Sequence, residues 1–156
     1  MKFTFHDLEV VTRTVYGESR GESYAGKTAV AWTIVNRAIK RKLSPSEAAL
    51  QPYQYSCWNE GDPNAATLKD PTVDISSKDW RECFKAALAV LGGFDLVGCK
   101  VDDLTKGATH YHTQSIKPYW ARVRNHAMSW ETIFSIIILI NFLLLPIALL
   151  FDDKEP

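Results

Sequence analysis

Apolar residues recur at Leu8, Val11 and Val15, a spacing that predicts a short amphipathic helix meeting Gly17 near its end. The run TAVAWTIVNRAI (28–39) is apolar on nearly every face and rich in alanine, the pattern of a helix buried at the centre of a small domain, with Asn36 and Arg37 at its exit. Next, SPSE (44–47) combines a capping serine, a proline at the first helical position and a glutamate three residues after the cap, which predicts a helix to about Leu50. Between 53 and 74 the polar, Gly- and Pro-containing composition around Tyr53, Tyr55 and Trp58 predicts a long surface loop with anchored aromatics. A second capping-box pattern, SSKD (76–79), opens a helix expected to share Trp80, Phe84, Ala87, Leu88 and Leu91 on one face and to end at Gly92 and Gly93. After the turn-like DDLTKG (102–107), ATHYHT (108–113) alternates as a strand does, His110 and His112 on one side and Tyr111 on the other. Helical patterns outweigh the strand, so the expected class is α+β, mainly helical, with one domain over 1–130 and an apolar tail over 131–156.

Composition narrows this picture. The chain has 156 residues, 46% of them hydrophobic and 12% aromatic, enough to build a core. Its 18 basic residues balance 18 acidic ones, so no global field favours nucleic acid, and a substrate has to be recognised locally. Three cysteines, Cys57, Cys83 and Cys99, without CxxC spacing argue against a disulfide framework or a zinc ribbon. The N-terminal segment lacks the apolar stretch of a secretory signal. The segment 133–151, in contrast, carries no charge and is long enough to span a bilayer, softened only by Ser135, Asn141 and Pro146.

The densest chemistry lies in YGESRGESYAG (16–26). Glycines directly before Glu18 and Glu22 each weaken a helix by about 1 kcal/mol relative to alanine, which points to a helix end or to a close backbone approach. Glu18 borders the apolar helix pattern, and partial burial favours the neutral form of a carboxyl, the form a general acid needs. On spacing alone, Glu18 and Glu22 read first as solvated helix-end charges paired with Arg20 or Lys27.

The longer run VYGESRGESYAGKTAVAWTIVNRA (15–38) resembles the signature of the SleB/CwlJ-type cell-wall hydrolases, a GEARGE-type segment leading through a glycine into an AVA-rich helix that ends in Asn-Arg. QYSCW (54–58) resembles the family's QFSCW segment, and GATHYH (107–112) with Pro118 and Trp120 resembles its GAT-x-Y-x…P-x-W segment. The resemblance implies a lysozyme- or lytic-transglycosylase-like domain that cuts the glycan strand of peptidoglycan, without a metal or cofactor. It makes Glu18 the catalytic acid and places Gln54, Tyr55, His110, Tyr111 and Trp120 on the sugar, with Glu22 and Arg20 beside the acid. A helical Glu18 and Glu22 would stand about 5–6 Å apart on one face, too close together to flank a sugar ring as paired carboxylates do. The expected route is therefore lytic transglycosylation, in which the muramic acid 6-hydroxyl attacks the anomeric carbon.

Two other readings stay open: a non-catalytic muropeptide- or membrane-binding module, and a zinc amidase using His110, His112 and His126. The end of the chain departs from the family, whose IGNHxFY-like closing segment is only partly kept in VRNHAM (123–128). Read as a membrane anchor, 133–151 with Lys117, Arg122 and Arg124 on one side and Lys154 on the other leaves the domain in the cytoplasm. A phage or prophage endolysin that waits there for access to the wall reconciles this with a wall substrate. A non-native end, or a helix buried in a larger assembly, accounts for the tail as well.

Overall fold

The computed structural model describes residues 2–70, 75–95 and 98–112 and the backbone of 127–129. In chain order these form α1 (Phe5–Ser19), α2 (Tyr24–Arg41), α3 (Pro45–Leu50), a single 3₁₀ turn (Ser56–Trp58), α4 (Pro63–Lys69), α5 (Lys78–Gly92), β1 (His110–His112) and β2 (Ala127–Ser129). The two strands pair in parallel, with Tyr111 opposite Met128. The expected mainly helical α+β class with a short β element is what is observed. The expected apolar C-terminal helix lies outside the described residues. No helix among the described residues is long and apolar enough to cross a membrane.

Helix α2 is the central element, burying Val30, Ala31, Ile34, Val35 and Ala38 against α1, α3 and α5. Helix α1 begins at a capping box: the Thr4 side chain accepts from the Asp7 amide, and the Asp7 carboxylate accepts from the Thr4 amide. Asp7 also accepts from the Ser46 amide at 3.0 Å and the Ser46 hydroxyl at 2.7 Å, which fixes the start of α3 to the start of α1. Burial pushes the Asp7 carboxyl up in pKa, but hydrogen bonds from Thr4 and Ser46 outweigh it and bring it to about 2.

Several expectations shift by a turn or a face. Helix α1 runs through Gly17 and Glu18 to Ser19 instead of ending at the glycine. The 53–74 stretch is not all loop. It holds the 3₁₀ turn and α4, which opens on an Asp62 cap with Pro63 in its first turn. The cap of α5 is Ser77, accepting from the Trp80 amide, so Asp79 does not complete a reciprocal box. The core face of α5 is Cys83, Ala86, Ala87, Val90 and Leu91, and Phe84 is left 38% exposed. Small residues let α5 approach α1 and α2 closely, and the larger ring is displaced outward.

Candidate active site

Gly17 sets the geometry of the site. A Cβ at this position would stand 2.6 Å from both Cys57 Cβ and Leu68 Cδ1, so only a glycine lets the 3₁₀ turn and α4 lie this close to α1. The turn is fixed to α1 at two points one helical turn apart. Trp58 Nε1 donates to Thr14 Oγ1 at 2.9 Å, and the Cys57 amide donates to Glu18 Oε1 at 2.9 Å. Arg13 ties down the next element by donating to the Leu68 carbonyl at the end of α4.

The far wall is positioned from α2. Asn36 Nδ2 donates to Asp103, Thr105 and the Ala108 carbonyl, and Arg37 Nη2 donates to the Thr109 carbonyl at 2.5 Å. These contacts hold the approach to β1, and β1 brings the Tyr111 hydroxyl to 2.5 Å from Glu18 Oε2. The Glu18 carboxylate thus accepts from Tyr111 on one oxygen and from Ser56 Oγ and the Cys57 amide on the other. Burial first, then the charge and hydrogen bond of Glu18, push the Tyr111 phenol well above its ordinary pKa, so it stays a donor. A carboxylate accepts all three bonds. A carboxylic acid in its place donates one, and the hydroxyls of Ser56 and Tyr111 can turn to receive it.

Glu18, Gln54, His110 and Tyr111 line one cavity of about 430 Å³, within the size range of small-ligand sites. Arg37, Tyr53, Ser56 and Asn59 complete its described lining, and Glu18 is the one carboxylate among these residues. Tyr53 sits at the rim, 87% exposed and held at φ 61, a left-handed backbone that L residues adopt at a cost. The other sequence-derived candidates lie elsewhere. Tyr55 is in the core, 2% exposed, its hydroxyl 3.1 Å from Thr33 Oγ1 and its ring beneath Arg37; burial raises it to about 12. Arg20 stacks on Tyr16 and donates to Asn64. Because α1 stops at Ser19, Glu22 follows a turn and does not share a helical face with Glu18; its carbonyl accepts from buried Lys27, whose ammonium also meets Glu82 at 3.2 Å. Trp120 and His126 lie outside the described residues.

Arg37, Ser56 and Asn59 were not anticipated as lining. Ser56 sits inside the QYSCW segment, and Arg37 is a cation at the end of an apolar helix, which is the signal each offers. His110 Nδ1 is 2.9 Å from Thr109 Oγ1. Among the described residues no group of His, Cys, Asp and Glu is placed to hold a metal ion.

A family model described as Cell Wall Hydrolase matches residues 21–134, most of the chain, with Glu18 just ahead of the matched segment. The spore cortex-lytic enzyme of Bacillus subtilis (strain 168) is 34% identical over 62 residues, covering 38% of this chain and 20% of that enzyme. The chain thus spans about a fifth of the length of this curated relative. No solved structure matches the chain.

Proposed function

Because the chain belongs to the cell wall hydrolase family, of the SleB/CwlJ spore-cortex-lytic type, we propose that it cuts peptidoglycan between N-acetylmuramic acid and N-acetylglucosamine, with Glu18 as proton donor. The observation that carries this reading is the placement of the Glu18 carboxylate in a polar cavity, held on both oxygens by groups from the 3₁₀ turn and from β1. A side chain fixed in that way is positioned for proton transfer at small cost in reorganisation.

The mechanism is lytic transglycosylation. Glu18 gives its proton to the glycosidic oxygen as the bond from muramic acid C1 to that oxygen breaks. The muramic acid 6-hydroxyl then closes on C1, and its proton returns to Glu18. One strand ends in a 1,6-anhydro sugar and the other in a free 4-hydroxyl, with no water consumed. A single carboxylate in the described lining favours this route, since direct hydrolysis ordinarily places a second carboxylate about 5–9.5 Å from the acid. Tyr111, which remains protonated, steadies Glu18 through both transfers.

The test is clearing of purified cell walls by the wild-type protein and by Glu18→Gln, with mass spectrometry of the soluble fragments. Clearing by the wild type alone, with muramic ends lighter by one water, is expected. Equal clearing by both proteins would remove Glu18 from the mechanism. Reducing ends of full mass would replace transglycosylation with hydrolysis.

A further inference from the structure

Beyond the catalytic cavity, a second one of about 280 Å³ shares Arg37 and His110 with it. Its remaining described lining is Lys40, Arg41 and Thr109, so three cations and no carboxylate are among the described residues that face this space. Among the described residues four cations form salt bridges: Arg13 with Glu9, Lys27 and Lys78 with Glu82, and Lys100 with Asp102. Among the described residues Arg37, Lys40 and Arg41 form no salt bridge; Arg41 is engaged by the neutral Gln51 side chain.

Arg37 is the most telling of the three. It is only 2% exposed, yet two of its guanidinium nitrogens, Nε and Nη1, have no hydrogen-bond partner. A buried guanidinium with unfilled donors and no counter-charge is expensive to keep, and the partner that best matches its planar fork is a carboxylate. Lys40 and Arg41, on the exposed last turn of α2, add charge without being needed by the core. The surplus is local: the chain as a whole has a formal net charge of +0. Three cations around one small cavity suit a single anionic substituent better than the extended stripe that a polyanion requires.

We propose that this second cavity is a subsite for a carboxylate of the lactyl-peptide stem on the muramic acid bound over Glu18. The inference rests on the glycan-cleaving reading of the first cavity and deepens it, because the stem is what distinguishes peptidoglycan from an uncharged glycan of the same backbone. Arg37 lines both cavities, so a substituent on a sugar seated at Glu18 has a cationic space next to it.

Calorimetric titration of the 156-residue Glu18→Gln protein, which is expected to hold substrate without turning it over, tests the proposal. The two probes are a tetrasaccharide muropeptide with free stem carboxylates and chitotetraose, of equal glycan length and no stem. The stem-bearing probe is expected to bind at least about tenfold more tightly, with the advantage shrinking as salt is raised. In a Lys40→Ala/Arg41→Ala background, which leaves Arg37 in place, the muropeptide preference is expected to shrink severalfold. Both positions are exposed, and a melting curve confirms that the fold is kept. Equal affinity of the Glu18→Gln protein for the two probes, or a preference undiminished by the double substitution, would overturn the subsite. If neither probe binds, the subsite and the glycan reading fall together. If the muropeptide preference is found but wild-type protein leaves walls intact, the subsite stands and the catalytic reading fails.

Discussion

Replacing Gly17 with alanine isolates the packing on which the site depends. The added Cβ would meet Cys57 Cβ and Leu68 Cδ1 at 2.6 Å each, against an optimal carbon separation of about 3.5–4.0 Å. Leu68 Cδ1 is the end of a side chain and can swing aside. Cys57 Cβ is fixed to the backbone of the 3₁₀ turn, so the turn itself must retreat by roughly 1 Å. Retreat lengthens the Cys57 amide bond to Glu18 from 2.9 Å to beyond hydrogen-bonding range. Overpacking of this kind costs about 1–3 kcal/mol, while alanine regains about 1 kcal/mol of helix propensity. The net loss is then at most about 2 kcal/mol, or a few degrees in melting temperature. The loss in wall clearing should be far larger, about a hundredfold, because a displacement of about 1 Å at a reacting group carries that penalty. Gly21→Ala is the matched control: nothing lies within 4 Å of its Cβ, and it should melt within about 0.5 kcal/mol of the wild type and keep its activity. Thermal melts and turbidity assays on the two variants decide the matter. A Gly17→Ala protein that clears walls at the wild-type rate would refute the claim that this contact sets the position of Glu18.

Three further expectations concern single groups. Tyr111→Phe should lower the clearing rate by about 10–100-fold while leaving circular dichroism unchanged, since it removes one of three donors to Glu18; full activity would show that the phenol is dispensable. Asp7, at about 2 in the folded protein against 3.8 ordinarily, contributes stability that is complete above pH 4 and is lost as pH falls from about 4 to 2. Acid titration of stability should accordingly show about 1–2 kcal/mol less loss over that window in Asp7→Asn, which starts lower, and parallel curves would contradict the assignment. Burial raises both internal thiols, Cys83 to about 12 and Cys57 further, so a thiol reagent should label exposed Cys99 rapidly and the other two only on unfolding.

How much of this was legible from sequence depends on what kind of atom does the work. The cap of α3 and the apolar stripe of α2 are short-range patterns, and both helices stand where the sequence puts them; α1 is legible only in its middle, its Thr4 cap having gone unread. Helix α4 was hidden because Asp62 and Pro63, which start it, sit in a stretch whose glycine, asparagine and aspartate read as loop. On α5 the expected face followed bulk, choosing Phe84, whereas close packing selected Cys83 and Ala86. Motif position pointed to Glu18 and Tyr111, yet not to the Cys57 donor, because a backbone amide has no side-chain signature. The aromatic pair at 53 and 55 divides in a way no periodicity reveals: Tyr53 turns outward on a left-handed backbone and Tyr55 enters the core beneath Arg37.

The hydrogen bond between Glu18 and Tyr111 joins positions separated by 93 residues. A chain still emerging from the ribosome presents its acidic residue long before the partner that steadies it has been made. The pair is therefore complete only once residue 111 has been made and β1 has packed, so on the proposed mechanism the acid reaches full efficiency late in folding.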